Sequence, residues 1–129
     1  MADSEHVRIV KSGAEAVKRW RKQNPGVRLD LAEANLRGAD LSEVDLGDAD
    51  LTGADLADAF LAGAYLGGAN LSNSNLTNVD MAIADLGGAN LSGADLTGAD
   101  LSMGVNLSDA DVSGANLTGA DLSGADLNN

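Results

Sequence analysis

From Leu29 to the end of the chain, apolar and polar positions alternate with a period of five residues. In fives, the sequence reads LDLAE ANLRG ADLSE VDLGD ADLTG and continues in that manner to ADLNN, giving twenty repeats. The central position is Leu in eighteen of them, with Met81 and Val112 as the exceptions, and the residue two before it is Ala in fifteen. A period of five suits no regular element: on a helix the Leu positions would smear around the axis, and on a strand an odd spacing would alternate faces. The chain must therefore bend once per repeat. Within a repeat, Ala and Leu stand two apart, so a short extended piece aims both to one side and sends the Asp or Asn between them to the other. The Gly that closes ten of the repeats suits a tight turn with positive φ.

The register slips once. Leu101 and Leu107 are six apart, so one extra residue lies among Ser102, Met103, Gly104 and Val105, and Gly104 is the natural candidate. It falls where a corner is expected, and a bulge there would absorb it without turning Leu107 outward. A tolerated slip is the favoured reading over a functional insertion. Ahead of the repeats, Val10, Ala14 and Val17 recur at helical spacing, Trp20 follows, and Asn24-Pro25-Gly26 is a helix stop. This predicts one helix over Gly13 to Lys22. Residues 1–28 thus form an N-terminal segment, and 29–129 the repeat domain.

The repeats match the A(D/N)LxG consensus, and on those residues the chain resembles the pentapeptide repeat family. The resemblance implies an all-β fold, a right-handed quadrilateral parallel β-helix with four repeats per coil, hence about five coils. Twenty-residue coils would stack Gly47, Gly67 and Gly87 on one another, likewise Thr77, Thr97 and Thr118, and the sequence supplies these like-with-like ladders. Such a column is roughly 24 Å tall and filled by Leu. Its first end would be closed by a short N-terminal α-helical cap built on Val10, Val17 and Trp20, with Trp20 over the first Leu layer. The other end carries no such cap, which leaves it open to fraying or to homodimerisation through the C-terminal coil.

Charge divides the chain in the same place. Residues 1–28 carry a net charge of +4 and residues 29–129 a net charge of −16. Lys18, Arg19, Arg21 and Lys22 surround Trp20, and their expected role is to balance Asp30, Glu33 and Asp48 of the first coil rather than to bind phosphate. No Cys is present, and no run of eighteen apolar residues occurs, so disulfides, thiolate metal sites and a membrane span are not readable. The expectation is a soluble, cytoplasmic protein with no cofactor and no membrane or direct nucleic-acid contact.

Catalysis finds little support. His6 is the only His and falls in a terminus expected to be disordered, which leaves no triad, no His-ligated metal and no His base. The abundant carboxylates stand on a wet convex wall, without the desolvation that makes a general acid. The run Asp48, Asp50, Thr52, Gly53 begins like a calcium loop, but its twelfth position is Ala59 rather than Glu. No catalytic residue, metal site or small-molecule substrate is therefore assigned. Five Asn-Leu-Ser/Thr triplets, at Asn70, Asn75, Asn90, Asn106 and Asn116, are by-products of the repeat.

What stands out is where the outward pattern fails. Phe60 and Tyr65 occupy positions otherwise held by Asp or Asn, while Ile83 and Met103 close repeats that otherwise end in Gly, Asp, Asn or Glu. On a four-sided coil Phe60, Ile83 and Met103 fall near one corner, with Tyr65 just around it, forming an apolar seam on an acidic rod. The leading reading is a rigid, non-enzymatic scaffold or protein-protein interaction module with an unidentified protein partner. The alternative, drawn from the family resemblance and the charge density, is an acidic DNA mimic that modulates DNA gyrase.

Overall fold

In the computed structural model, which describes residues 2–129, the backbone returns to pair with itself every twenty residues. Asp30, Asp50, Asn70, Asn90 and Asp111 pair in succession, all in parallel, and define side one. Side two is Asn35, Asp55, Asn75, Asp95 and Asn116; side three is Asp40, Phe60, Asp80, Asp100 and Asp121; side four is Asp45, Tyr65, Asp85, Asn106 and Asp126. Past the extra residue the spacing becomes twenty-one, as in Asp85 with Asn106, and every later pair stays in phase.

Where Asp or Asn holds the outward position, a five-residue unit can turn a corner because all five of its backbone N–H groups are met, as around Leu51. Around Leu51, Asp50 N–H donates to Leu29 O of the preceding coil at 2.9 Å. Leu51 and Gly53 donate to Asn70 O and Ser72 O of the following coil at 2.7 and 2.9 Å, and Ala54 N–H closes the turn on Leu51 O at 3.0 Å. The fifth donor, Thr52 N–H, goes to Asp50 Oδ1 at 3.0 Å. The outward Asp or Asn is thus more than a solvating group. It completes the hydrogen bonding of its own corner, which backbone partners alone leave one short.

The closing residue has positive φ in every repeat from Glu33 to Gly124, the conformation that a type II turn demands at its second central residue. Inside, the central Leu side chains from Leu31 to Leu101 are buried, Met81 among them, with Ala or Val at the second inward position. Ser74 takes one of those positions and stays satisfied by donating its hydroxyl to Leu71 O at 2.7 Å. In the last coil Val112 and Leu127 are exposed.

The N-terminal segment folds as two helices, α1 (Ser4–Lys11) and α2 (Ala14–Gln23), where the sequence spacing predicts only the second. Asp3 caps α1 by accepting from the N–H groups of Glu5 and His6. Gly13, at φ 98, separates the helices. Val10 and Val17 are buried, and Trp20 is half-buried against the core. Neither helix is long and apolar enough to cross a membrane.

His6 corrects the expectation of a disordered terminus. Its Nδ1 accepts Asp30 N–H at 2.9 Å, and its ring meets Trp20 edge-on with centroids 4.9 Å apart. Asp30 N–H has no preceding coil to donate to, so the imidazole supplies the missing acceptor. Asp3 N–H in turn donates to Asp30 O at 3.1 Å, and the first residues of α1 stand where another coil would pair.

Candidate functional site

The basic residues of α2 also take a different part from the one their charges suggest. In the body of the stack, side four passes two N–H donors from each coil to the carbonyls of the next, as Leu46 N–H to Tyr65 O and Asp48 N–H to Gly67 O. Asp45 O and Gly47 O in the first coil have no such donors above them. Arg21 provides both, from Nε and Nη2, each at 3.0 Å. Arg28 Nε likewise donates to Asp48 O at 2.8 Å. Of the four clustered cations only Arg21 comes within 4 Å of a carboxylate among the described residues, and that carboxylate is Asp45, at 3.6 Å, rather than Asp30, Glu33 or Asp48. The fork geometry of a guanidinium explains why Arg serves here.

Five carboxylates on the wall are held as anions by their own corners. The Thr97 hydroxyl and N–H hold Asp95 below the usual carboxylate range, and Ser113 and Ser123 do the same for Asp111 and Asp121. The Thr52 hydroxyl lowers Asp50, and the Ser42 N–H lowers Asp40. A general acid needs a shift in the opposite direction. Among the described residues, no three His, Asp or Glu side chains converge to hold a metal ion.

Carboxylates stacked directly across neighbouring coils repel, and three sides interrupt them. On side two Asn75 separates Asp55 from Asp95 and donates to Asp55 Oδ1 at 3.3 Å. On side four Asn106 lies between Asp85 and Asp126 and donates to Asp85 Oδ1 at 2.9 Å. Asn70 and Asn90 stand between Asp50 and Asp111 on side one. Side three alone stacks three in a row, Asp80, Asp100 and Asp121.

The end of side three and the corner that follows it carry exposed apolar residues, Phe60 on the side and Ile83 and Met103 at the corner. Phe60 is 51% exposed in the second coil, Ile83 58% in the third and Met103 72% in the fourth. Each departs from the repeat at a structural disadvantage. Phe60 has no carboxyl or amide oxygen, and Ala62 N–H, which Asp or Asn would meet, has no partner among the described residues. Ile83 sits at φ 58 and Met103 at φ 60, where side chains are strained and a β-branched one most of all. After Met103 comes the extra Gly104 at φ 88, and the Leu101 carbonyl receives no turn-closing hydrogen bond. Leu107 is nonetheless buried, so the bulge stays confined to the corner. Ile83 leans back over Gly63 of the second coil, its Cδ1 3.8 Å from where a Cβ on Gly63 would stand.

Tyr65, 48% exposed, is not aimed at this corner. Its ring runs along side four over Gly67 and Gly47, where added Cβ atoms would meet ring atoms at 2.7 Å. The two glycines make room for the ring, and Tyr65 covers the backbone rather than extending the seam. Nothing in the five-residue period distinguishes Phe60 from Tyr65. The pair of glycines at 47 and 67 is the one signal that could have done so.

A family model described as pentapeptide repeats matches in eight copies over residues 30–68, 54–87, 74–104 and 104–129. Among solved structures, the chain is similar to the pentapeptide repeat protein Rfr23 from the cyanobacterium Cyanothece 51142, with 30% identity and a TM-score of 0.69 over 74% of this chain and 66% of that one. It is also similar to HetL from Nostoc sp. strain PCC 7120, a pentapeptide repeat protein involved in heterocyst differentiation regulation, with 35% identity and a TM-score of 0.65 over 74% of this chain and 54% of that one. A third, from the Arabidopsis thaliana thylakoid lumen, has 33% identity and a TM-score of 0.53 over 70% of this chain and 59% of its own. The chain therefore spans between about half and two thirds of the length of these three relatives. No curated protein matches. Relatives of this kind imply a right-handed quadrilateral β-helix, and with the family model covering the repeats from residue 30 to residue 129, the chain belongs to the pentapeptide repeat family.

Proposed function

We propose that the chain is a non-enzymatic, rigid protein-binding rod of about five coils, capped by its N-terminal helices, whose contact surface is the corner between sides three and four. One observation carries this reading. Phe60 on side three of the second coil and Ile83 and Met103 at the following corner of the third and fourth expose apolar side chains, each where the repeat would be better served by another residue. Single exposed apolar residues need no explanation, but three on consecutive coils, two of them apolar at positive φ, are characteristic of a contact surface. A stack held by a backbone ladder and a dry Leu interior keeps such a corner rigid, so little ordering is needed on binding. The regulatory role named for HetL is one that a binding surface can serve. A cytoplasmic location fits this reading.

The test is affinity capture from the source cell with the wild type and a Phe60→Asp, Ile83→Asp double variant. A partner held by the wild type and lost by the variant is the expected result; an unchanged set of captured proteins removes the corner from consideration. The alternative, a DNA mimic acting on gyrase, draws on the net charge of −16 over residues 29–129. It requires that the purified protein inhibit gyrase supercoiling or protect gyrase from quinolones.

A further inference from the structure

We infer that this corner takes a basic amphipathic helix presented by a partner protein. The inference rests on the reading of the corner as a contact surface and adds the chemistry of what lies on it. Ile83 and Met103 are flanked on side three by the uninterrupted stack of Asp80, Asp100 and Asp121, which Phe60 heads, and on side four by Asp85 and Asp126, and Glu43 stands at the same corner of the first coil. No Lys or Arg belongs to the corner or to either side below the first coil. On the other three sides no three carboxylates stand in succession, because Asn or Tyr intervenes. Three like charges in a row destabilise their side unless opposite charge is brought to them, so a cationic partner gains most there.

The spacing selects a helix. Coils repeat at about 4.8 Å along the rod, and residues three or four apart on a helix stand about 5–6 Å apart. A helix lying along the corner would set successive apolar residues beside Ile83 and Met103 and against Phe60 at the edge of side three, with Gly63, between Glu43 and Ile83, as the corner residue of the second coil. Lys and Arg on its flanks would reach the carboxylates on both sides. An extended strand would turn alternate residues away, and a polybasic coil would leave the apolar strip uncovered.

The probe is a fluorescent, roughly eighteen-residue helical peptide of Leu and Lys with a single apolar face, read by anisotropy at about 0.15 M salt to suppress unspecific attraction. Two controls accompany it: the same peptide with Glu for Lys, and an oligolysine of equal charge. The Leu/Lys helix is expected to bind the wild type best. Ile83→Gly, which changes no charge, should weaken it at least about tenfold. Asp100→Asn should weaken it several-fold, and Asp95→Asn on side two should leave it unchanged. Oligolysine or the Leu/Glu peptide binding as tightly, or binding indifferent to Ile83→Gly, overturns the inference. If a cellular partner is lost on Ile83→Gly while the Leu/Lys peptide ignores the corner, the contact surface stands and the basic helix falls; if neither responds, both fall.

Discussion

His6 Nδ1 accepts the backbone N–H of Asp30 at 2.9 Å, joining the first helix to the first coil of the stack. The ring is largely buried and lies edge-on to Trp20. In a stack whose hydrogen bonds run from coil to coil, the first coil has no predecessor, and a side chain takes its place. His6→Ala should therefore lower the unfolding free energy by about 1–3 kcal/mol, the range for a partly buried donor left unmet together with lost packing. Urea unfolding measures the change. Faster hydrogen exchange at Ile9 and Val10, without change at Leu86, would show that the loss begins in the helical segment.

Ile83 makes the opposite prediction. At φ 58 with an exposed side chain, it is a position where Gly relieves strain while little packing is lost. Ile83→Gly should stabilise the protein by about 1 kcal/mol. Thermal unfolding would show a higher Tm; a lower one would mean that the contact with Gly63 outweighs the strain.

The outward carboxylates give stability a definite dependence on pH. Asp95, Asp111 and Asp121 are held below the ordinary range by hydroxyl and N–H donors in the folded state. Their contribution is present above the unfolded pKa near 4 and is lost as pH falls through the lower folded value. Relief of repulsion among the remaining acids acts in the other direction, so the clean comparison is with an Asp95→Asn, Asp111→Asn, Asp121→Asn variant, whose amide oxygens accept at every pH. Between pH 6 and pH 3 the wild type should lose stability relative to that variant. Parallel profiles would show that the hydrogen bonds do not favour the ionised form.

The period of five, the inward Leu and Ala and the stacking of Gly47 on Gly67 are legible in the sequence because each depends only on chain geometry and repetition. Three features are not. The first helix spans eight residues, too short to persist by propensity; its contacts through His6 and Asp30 lie twenty-four residues apart in the chain. Arg21 reads as one cation among four, and its selection by two free carbonyls emerges only when Asp45 and Gly47 are seen to lack a coil above them. The side-chain direction of Tyr65 depends on room above Gly47 and Gly67, which the pattern of apolar and polar positions does not encode. The apolar corner itself is visible as a set of exceptions to the repeat, whereas the strain at Ile83 and the unmet N–H of Ala62 require backbone angles and hydrogen bonds.

The most direct test of the corner as a contact surface is the amount of a wild-type partner, identified by mass spectrometry, that is retained by immobilised wild type, Ile83→Gly and Asp95→Asn proteins. Ile83→Gly keeps the net charge and should improve the fold, so a loss of binding cannot arise from unfolding. The account predicts that Asp95→Asn retains the partner as the wild type does and that Ile83→Gly loses most of it. Full retention by Ile83→Gly would contradict the account.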